Sequence, residues 1–359
     1  MRVREHGRVP RTCGIVSPFS NRRGVIMRCR FDRVVVFSPD TTTGGPEALH
    51  QLVDSVNRQG GEAMLVYTGP QSKFFIKDGV IECSFDSNSI AFKTYRRYHP
   101  VTFSSFEVTK KSLLIFPEIY KDLAWTAHCC LPGAVACWWL AVHDLRAGRD
   151  KDWCDFFLKN VIHICQSHYA MQYLLGDGAE IVVPIFDYTD LNFVRRGLIS
   201  IDGDAPAGRK PRTIAYFPRK GGDLASLFFD RVKDSGIVPV PIDNMSKNEV
   251  METLGSTEIY VDFGHQPGKD RVPREAAAVG KVILLQRMGA GLHYLDHNLD
   301  GQYKFDRSDV GSGSLYNTIE AIFGDLASHL DRQRYYRQKV FLEKDEFDLQ
   351  VRQFFFSEL

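Results

Sequence analysis

The chain predicts an α/β fold: two Rossmann-like domains in series, closed by a helical segment. Three observations carry this. "RVVVFSP" (33–39) is a continuous apolar strand, the pattern of a sheet covered on both faces. A glycine turn, an amphipathic helix and a second strand, "EAMLVYTG" (62–69), follow it, which is the opening unit of a parallel doubly wound sheet. After "SIDGDAPAGRKPR" (200–212), a stretch of Gly, Pro and charge that reads as a linker, the strand–turn–helix period starts again. A length of 359 residues suits two cores better than one.

Each element has its own signal. In "DTTTGGPEALHQLVDSVNRQGG", Gly44-Gly45 opens a helix with Leu49, Leu52, Val53 and Val56 on one face, and Gly60-Gly61 ends it. "SLLIFPE" (112–118) and "AVACWWLAVHD" (134–144) are further buried strands. "VIHICQSHYAMQYLLGDG" (161–178) reads as a strand, a serine turn and a short helix, and "EIVVPIFDYTD" (180–190) leaves the first domain. In the second half "TIAYFP" (213–218) is a strand, "RKGG" a turn and "DLASLFFDRVKDSG" (223–236) a helix. "VPVPID" is the next strand. Ser246 with Glu249 three residues on predicts a capping box for the helix after it. "EIYVDFG", a helix start at "PREAAAVG" and the strand "KVILLQ" complete the unit, and the chain beyond Tyr316 is helical in pattern. The expected organisation is an Arg-rich N-terminal tail over 1–30, disordered or peripheral. Rossmann-like domains over 31–200 and 201–325 follow, then helices over 326–359 that cross back to the first domain.

Composition excludes several classes. Hydrophobic content of 44% and charged content of 25% are those of an ordinary globular protein, and a net charge of +1 gives no argument for a nucleic-acid partner. No apolar run reaches the roughly 18–20 residues that span a bilayer. The eight cysteines form no CxxC pair and no zinc spacing with histidine, so they read as reduced thiols in a cytoplasmic protein with no metal. The first 33 residues carry nine arginines and no lysine, a pattern shared by transit peptides, surface-binding arms and disordered tails.

The most unusual stretch is "DFGHQPGKDRVPREAAAVGKVILL" (262–285), which places a burst of charge between two buried strands. Its core, "HQPGKDRVPREA" (265–276), resembles the "HxEGFGLPPxEA" segment of retaining, family-4-like nucleotide-sugar glycosyltransferases of the GT-B fold. With "IAYFPRK" and "PIDNMSKNEV" it is closer still to a bacterial subgroup with a "DFGxxPGKDRxPREA" signature. "IFPEIY", "CWWLAVHDL" and "CQSHYAMQYL" of the first half also resemble that subgroup.

The resemblance implies two Rossmann-like domains facing across a cleft, with the donor bound by the second and the acceptor by the first. It implies that Arg219, Lys220, Lys269 and Arg271 hold the donor diphosphate in place of a metal, with His265 and Gly268 beside them. Such cations suit a leaving group whose charge grows on the β-phosphate. Glu275 matches a glutamate that accepts from the ribose hydroxyls. Gly44, Gly45 and Glu118 fall on the acceptor side, and His143 and Asp270 are the candidate catalytic groups. His168 and Tyr169 open a helix after "CQS" and are further cleft candidates. The chain departs from the family at Pro267, where a second glutamate contacts the transferred sugar.

The implied activity is transfer of a sugar from a nucleoside-diphosphate sugar to a saccharide or lipid-linked acceptor. The setting is glycan or surface-polysaccharide synthesis, with peripheral membrane association compatible with it. Two alternatives stay open: a non-catalytic nucleotide-sugar binder, which Pro267 favours, and a nucleotide-sugar epimerase. A dinucleotide enzyme fits less well, because "TTTGGPEAL" lacks the GxGxxG spacing. Solvated turns for Arg219-Lys220, a helix-capping role for Glu275 and plain core packing for Trp138-Trp139 are the structural alternatives residue by residue.

Overall fold

The computed structural model describes residues 27–69, 73–84, 88–143, 145–192, 194 and 212–358. Most of the Arg-rich tail, Asp144 and nearly all of the expected linker lie outside the described residues.

The first sheet has six parallel strands: β2 (Arg33–Pro39), β3 (Ala63–Thr68), β7 (Ser112–Pro117), β8 (Ala134–Trp139), β9 (Ile162–Cys165) and β10 (Val182–Pro184). They are ordered β10-β9-β8-β7-β2-β3. Helices α1 (Gly44–Arg58), α3 (Lys121–Cys130), α4 (Lys151–Asn160) and α5 (His168–Gly176) fill the connections. Val34, Val35, Val36 and Phe37 are all fully buried, as an apolar run covered on both faces requires. Leu49, Leu52, Val53 and Val56 make the buried face of α1. Each such side chain contributes roughly 1.5–3 kcal/mol of transfer free energy. The "AVACWWLAVHD" strand stops at Trp139, short of the expected 144, and Trp138 and Trp139 are core residues with no exposure.

Sequence periodicity missed an insertion between β3 and β7. It contains an antiparallel sheet of β4 (Lys73–Lys77), β5 (Val80–Ser84) and β6 (Ser105–Glu107), and α2 (Ile90–Thr94). Helices α3 and α4 were not read from the sequence either.

The second sheet is also parallel: β11 (Arg212–Tyr216), β12 (Ile237–Pro241), β13 (Ile259–Asp262), β14 (Val282–Gln286) and β15 (Lys304–Phe305), ordered β12-β11-β13-β14-β15. Helices α6 (Gly222–Arg231), α7 (Lys247–Ser256) and α8 (Arg271–Ala278) connect them. The capping box at α7 forms as expected: the Ser246 hydroxyl accepts from the Glu249 N–H, and the Glu249 carboxylate accepts from the Ser246 N–H at 2.7 Å.

Short helices α9 (Arg307–Ser312), α10 (Ser314–Gly324) and α11 (Leu326–Arg332) lead to α12 (Arg334–Phe355). This 22-residue helix bridges both cores. Tyr336 and Val340 pack into the second domain, whereas Phe347, Val351 and Phe355 pack into the first. α12 thus runs from the second core to the first. It is secured by pairing of β1 (Met27–Cys29) with β16 (Phe356–Glu358).

Candidate functional site

Both sheets share one topological logic. In each, the first strand sits between its second and third, so consecutive connections leave from it in opposite directions. Open α/β sheets bind ligands at such switch points, beyond the carboxyl ends of the strands. Here the two switch points face each other across a cavity of about 410 Å3. Thr43, Gly44 and Gly45 line it from the loop after β2 and the start of α1, Leu140 from the end of β8, and Gln166 from the end of β9. From the second domain come Phe217 and Lys220 after β11, Tyr260 and Asp262 of β13, and Lys269 to Pro273 at the start of α8.

Two glycines allow this approach. Gly221 adopts φ +68°, and a Cβ there would lie 2.0 Å from the Phe263 carbonyl oxygen. A Cβ at Gly268 would lie 2.0 Å from the Leu140 carbonyl oxygen in the other domain. The Val142 N–H donates to the Pro267 carbonyl at 3.0 Å beside it, so Pro267-Gly268 is where one backbone rests on the other.

Behind the cavity lies a buried web of charge. Glu47, 3% exposed on α1, pairs with Arg271 and Arg97 and accepts from Lys247 Nζ at 3.0 Å. Asp187 takes Arg271 at 2.8 Å and Arg274 at 2.9 Å. Glu343 of α12 takes Lys269 at 2.8 Å and Arg274 at 2.9 Å. Burial alone would raise the Glu47 carboxyl, but Arg271, Lys247 and Arg97 outweigh it and hold the group at about 2. Glu343 and Asp187 are held below their ordinary values in the same way: burial opposes ionisation, and Arg274 with Lys269 or Arg271 overcomes it.

Asp262 follows the opposite course. Burial first, then the charge of Asp270, pushes its carboxyl up to about 6. It accepts from the Gly264 N–H at 3.0 Å and from Gln266 Nε2 at 3.1 Å. Asp270 itself pairs with Lys220. The cavity thus holds two carboxyls side by side, one raised by burial and one paired with an ammonium. The ring of Tyr169 lies 5.3 Å from that of His293 and 6.3 Å from that of His265.

The structure brings six of the candidate residues to one cavity: Gly44, Gly45, Lys220, Lys269, Asp270 and Arg271. Gly268 sits directly beside it through its contact with Leu140. Arg219 points elsewhere, with Nε 2.6 Å from Asp243 and its guanidinium also on Asn244. Glu118 is 9% exposed and accepts from the Leu140 N–H at 3.2 Å, so it braces the end of β8. Glu275 is buried on α8 and outside the cavity lining, and burial raises its carboxyl. His143 is exposed, and its charge, after burial, lowers His265. Lys269 and Arg271, expected as free phosphate ligands, are carboxylate-paired. Sequence reasoning missed Glu47, Asp187, Arg274 and Glu343. Glu47, three residues after Gly44-Gly45, was the one carrying a positional hint.

Among the described residues no group of His, Cys, Asp and Glu is placed to hold a metal ion, and no helix is long and apolar enough to cross a membrane. No protein-family model and no curated protein matches the chain. Solved structures do. A sucrose-phosphate synthase from Thermosynechococcus elongatus superposes with a TM-score of 0.60 at 14% identity, covering 90% of this chain and 98% of that one. A trehalose-6-phosphate structure from E. coli bound with UDP-2-fluoro glucose gives 0.59 at 9% identity, over 90% and 100%. A trehalose-6-phosphate synthase studied with bisubstrate glycomimetics gives 0.58 at 10%, over 90% and 98%. The chain has the GT-B fold. In GT-B terms the cavity is the cleft between the two domains, and Lys220 and Asp270 face Gly44-Gly45 across it.

Proposed function

We propose that this protein is a glycosyltransferase. In this reading it moves a sugar from a nucleoside-diphosphate sugar to a saccharide or lipid-linked acceptor, with retention and without a metal, in cytoplasmic glycan or surface-polysaccharide synthesis. The domain over 201–325 takes the donor and the domain over 31–200 the acceptor. The observation that carries the reading is the cleft itself: a helix N-terminus at Gly44-Gly45 and the ammonium of Lys220 converge on one cavity at two facing switch points.

The chemistry follows from what the cavity presents. The bond between the anomeric carbon and the β-phosphate oxygen breaks, and one from that carbon to an acceptor hydroxyl oxygen forms. The hydroxyl proton leaves to the released diphosphate, whose growing charge Lys220 and the α1 N-terminus stabilise. Lys220 is paired with Asp270, so an arriving diphosphate takes over its ammonium and frees Asp270 for the sugar. Arg271 and Lys269 act one step back: tied to Glu47, Asp187 and Glu343, they keep the cleft floor positive and rigid. Glu275 remains the ribose acceptor and His143 the second catalytic candidate, both resting on the resemblance.

The test is a thermal-shift panel of UDP, GDP, CDP, dTDP and ADP against wild type and Lys220→Ala. One nucleoside diphosphate raises the wild-type melting temperature, and Lys220→Ala loses most of that rise. Release of the same diphosphate from its sugar conjugate then reports turnover. A flat panel refutes the donor site. Binding with no release across all sugars favours the non-catalytic binder, which Pro267 makes the second reading.

A further inference from the structure

Resting on the reading of the cleft as a donor site, we propose that a nucleoside diphosphate binding beside Lys220 draws a proton from water onto Asp262. The turn that carries Lys220 is packed directly on the end of β13. A Cβ at Gly221 would lie 2.0 Å from the Phe263 carbonyl oxygen, and one at Gly264 would lie 2.4 Å from Lys220 Cβ. Two carboxyls share this corner with the Lys220 ammonium: Asp270 pairs with it, and Asp262, lining the same cavity, faces both. The Tyr260 hydroxyl, the Gly264 N–H and Gln266 Nε2 donate to Asp262 from its own segment. Asp270 faces it from the turn before α8, and Tyr336 from α12. His265 faces Lys220, Asp270 and His143, and Glu275 faces Tyr260.

The charges around Lys220 set the outcome. A diphosphate brings further negative charge and takes the ammonium away from Asp270. Lys269 and Arg271 at the same cavity are already held by Glu343, Glu47 and Asp187, so Asp262, Asp270 and the diphosphate crowd Lys220. Like charges gathered in a site shielded from water drive the weakest acid among them to its neutral form. Asp262 is that acid. It is 3% exposed, against 22% for the Asp270 side chain, and burial with the charge of Asp270 already pushes it up to about 6. Asp270 stays ionised and accepts from the sugar hydroxyls. Gln266 can serve both states of Asp262. Its Nε2 donates to the carboxylate at 3.1 Å, while its Oε1 is buried without a hydrogen-bond partner. Turning the amide over presents that oxygen to the new Asp262 O–H.

The experiment is isothermal titration calorimetry on the full chain with UDP, GDP, CDP, dTDP and ADP. Each is run near neutral pH in two buffers of unlike ionisation enthalpy, which counts the protons taken up on binding. The nucleotide's own terminal phosphate titrates near about pH 6, so Asp262→Asn is run beside wild type and the difference is read. Wild type takes up roughly 0.5–1 proton more than Asp262→Asn at about pH 7. Because the bound form of Asp262 holds its proton more tightly than the free form, wild-type affinity is full below pH 6 and falls above it. Between about pH 6 and 8 wild type weakens roughly tenfold relative to Asp262→Asn. A purely structural role for Asp262 would shift affinity equally at every pH and leave the proton count unchanged. Equal counts in the two proteins, or parallel pH profiles, overturn the proposal and leave the donor site standing. A wild-type binding heat that does not depend on the buffer overturns it whatever the variant does. If none of the five nucleotides binds wild type, the donor site itself falls and the proton coupling falls with it.

Discussion

Replacing Glu47 with Gln removes one charge and almost no volume, yet it strips the shared partner from Arg97, Lys247 and Arg271. The magnitude follows from linkage. The folded carboxyl is held at about 2 against an ordinary 4.5. At about 1.4 kcal/mol per pH unit that gap is worth about 3 kcal/mol at neutral pH. The figure agrees with the roughly 3–5 kcal/mol lost when one member of a buried ion pair is removed. Because the folded value is depressed, this stability is complete above pH 4.5 and is lost as pH falls from 4.5 toward 2. In urea at pH 7.5, with a slope of roughly 3 kcal/mol per molar, the midpoint of Glu47→Gln falls by about 1 M. Repeated at lower pH, the difference between the two proteins shrinks toward zero. A variant within about 0.5 kcal/mol of wild type at pH 7.5, or a difference that persists unchanged below pH 3, would refute the account.

Asp262 gives the opposite pH signature. Its folded value is raised from 3.8 to about 6, so it binds a proton more tightly folded than unfolded, and wild type loses stability as pH rises from about 4 to 6. Asp262→Asn, which mimics the protonated acid, is expected to be more stable than wild type by roughly 2–3 kcal/mol at pH 8 and equal to it near pH 3.5, read by urea unfolding. Gly268→Ala drives a methyl group into the Leu140 carbonyl of the facing domain, and a loss of roughly 1–3 kcal/mol is expected in the same assay. Gly222→Ala, where a Cβ meets nothing within 4 Å, is the control and stays within about 0.5 kcal/mol.

The two sheets were legible because their strands are buried on both faces. Runs such as "RVVVFSP" and "KVILLQ" cannot hide their apolar period, and glycine and capping signals mark where the chain turns. The insertion around β4–β6 was not legible. Its strands are three to five residues long and partly exposed, so they carry too little period. At the site, the "HQPGKDRVPREA" segment does end at a cleft. Its charge burst was read as a set of ligand contacts, and Lys269, Asp270, Arg271 and Arg274 all proved to be internally paired. The reason is sequence distance: Lys269 meets Glu343 and Arg271 meets Glu47, partners 74 and 224 residues away. No local pattern announces such pairs. Glu343 in particular sits in a helix crowded with acids and bases, where nothing in the spacing distinguishes the buried carboxylate from its solvated neighbours.

The bridging helix has a mechanical consequence. α12 holds Tyr336 and Val340 in the second core and Phe347, Val351 and Phe355 in the first, and its far end is stitched to the first domain by β1 and β16. A stiff rod shared by two cores passes a displacement of one directly to the other. The spacing of Gly44-Gly45 and Lys220 across the cavity is therefore set by a helix that touches neither of them.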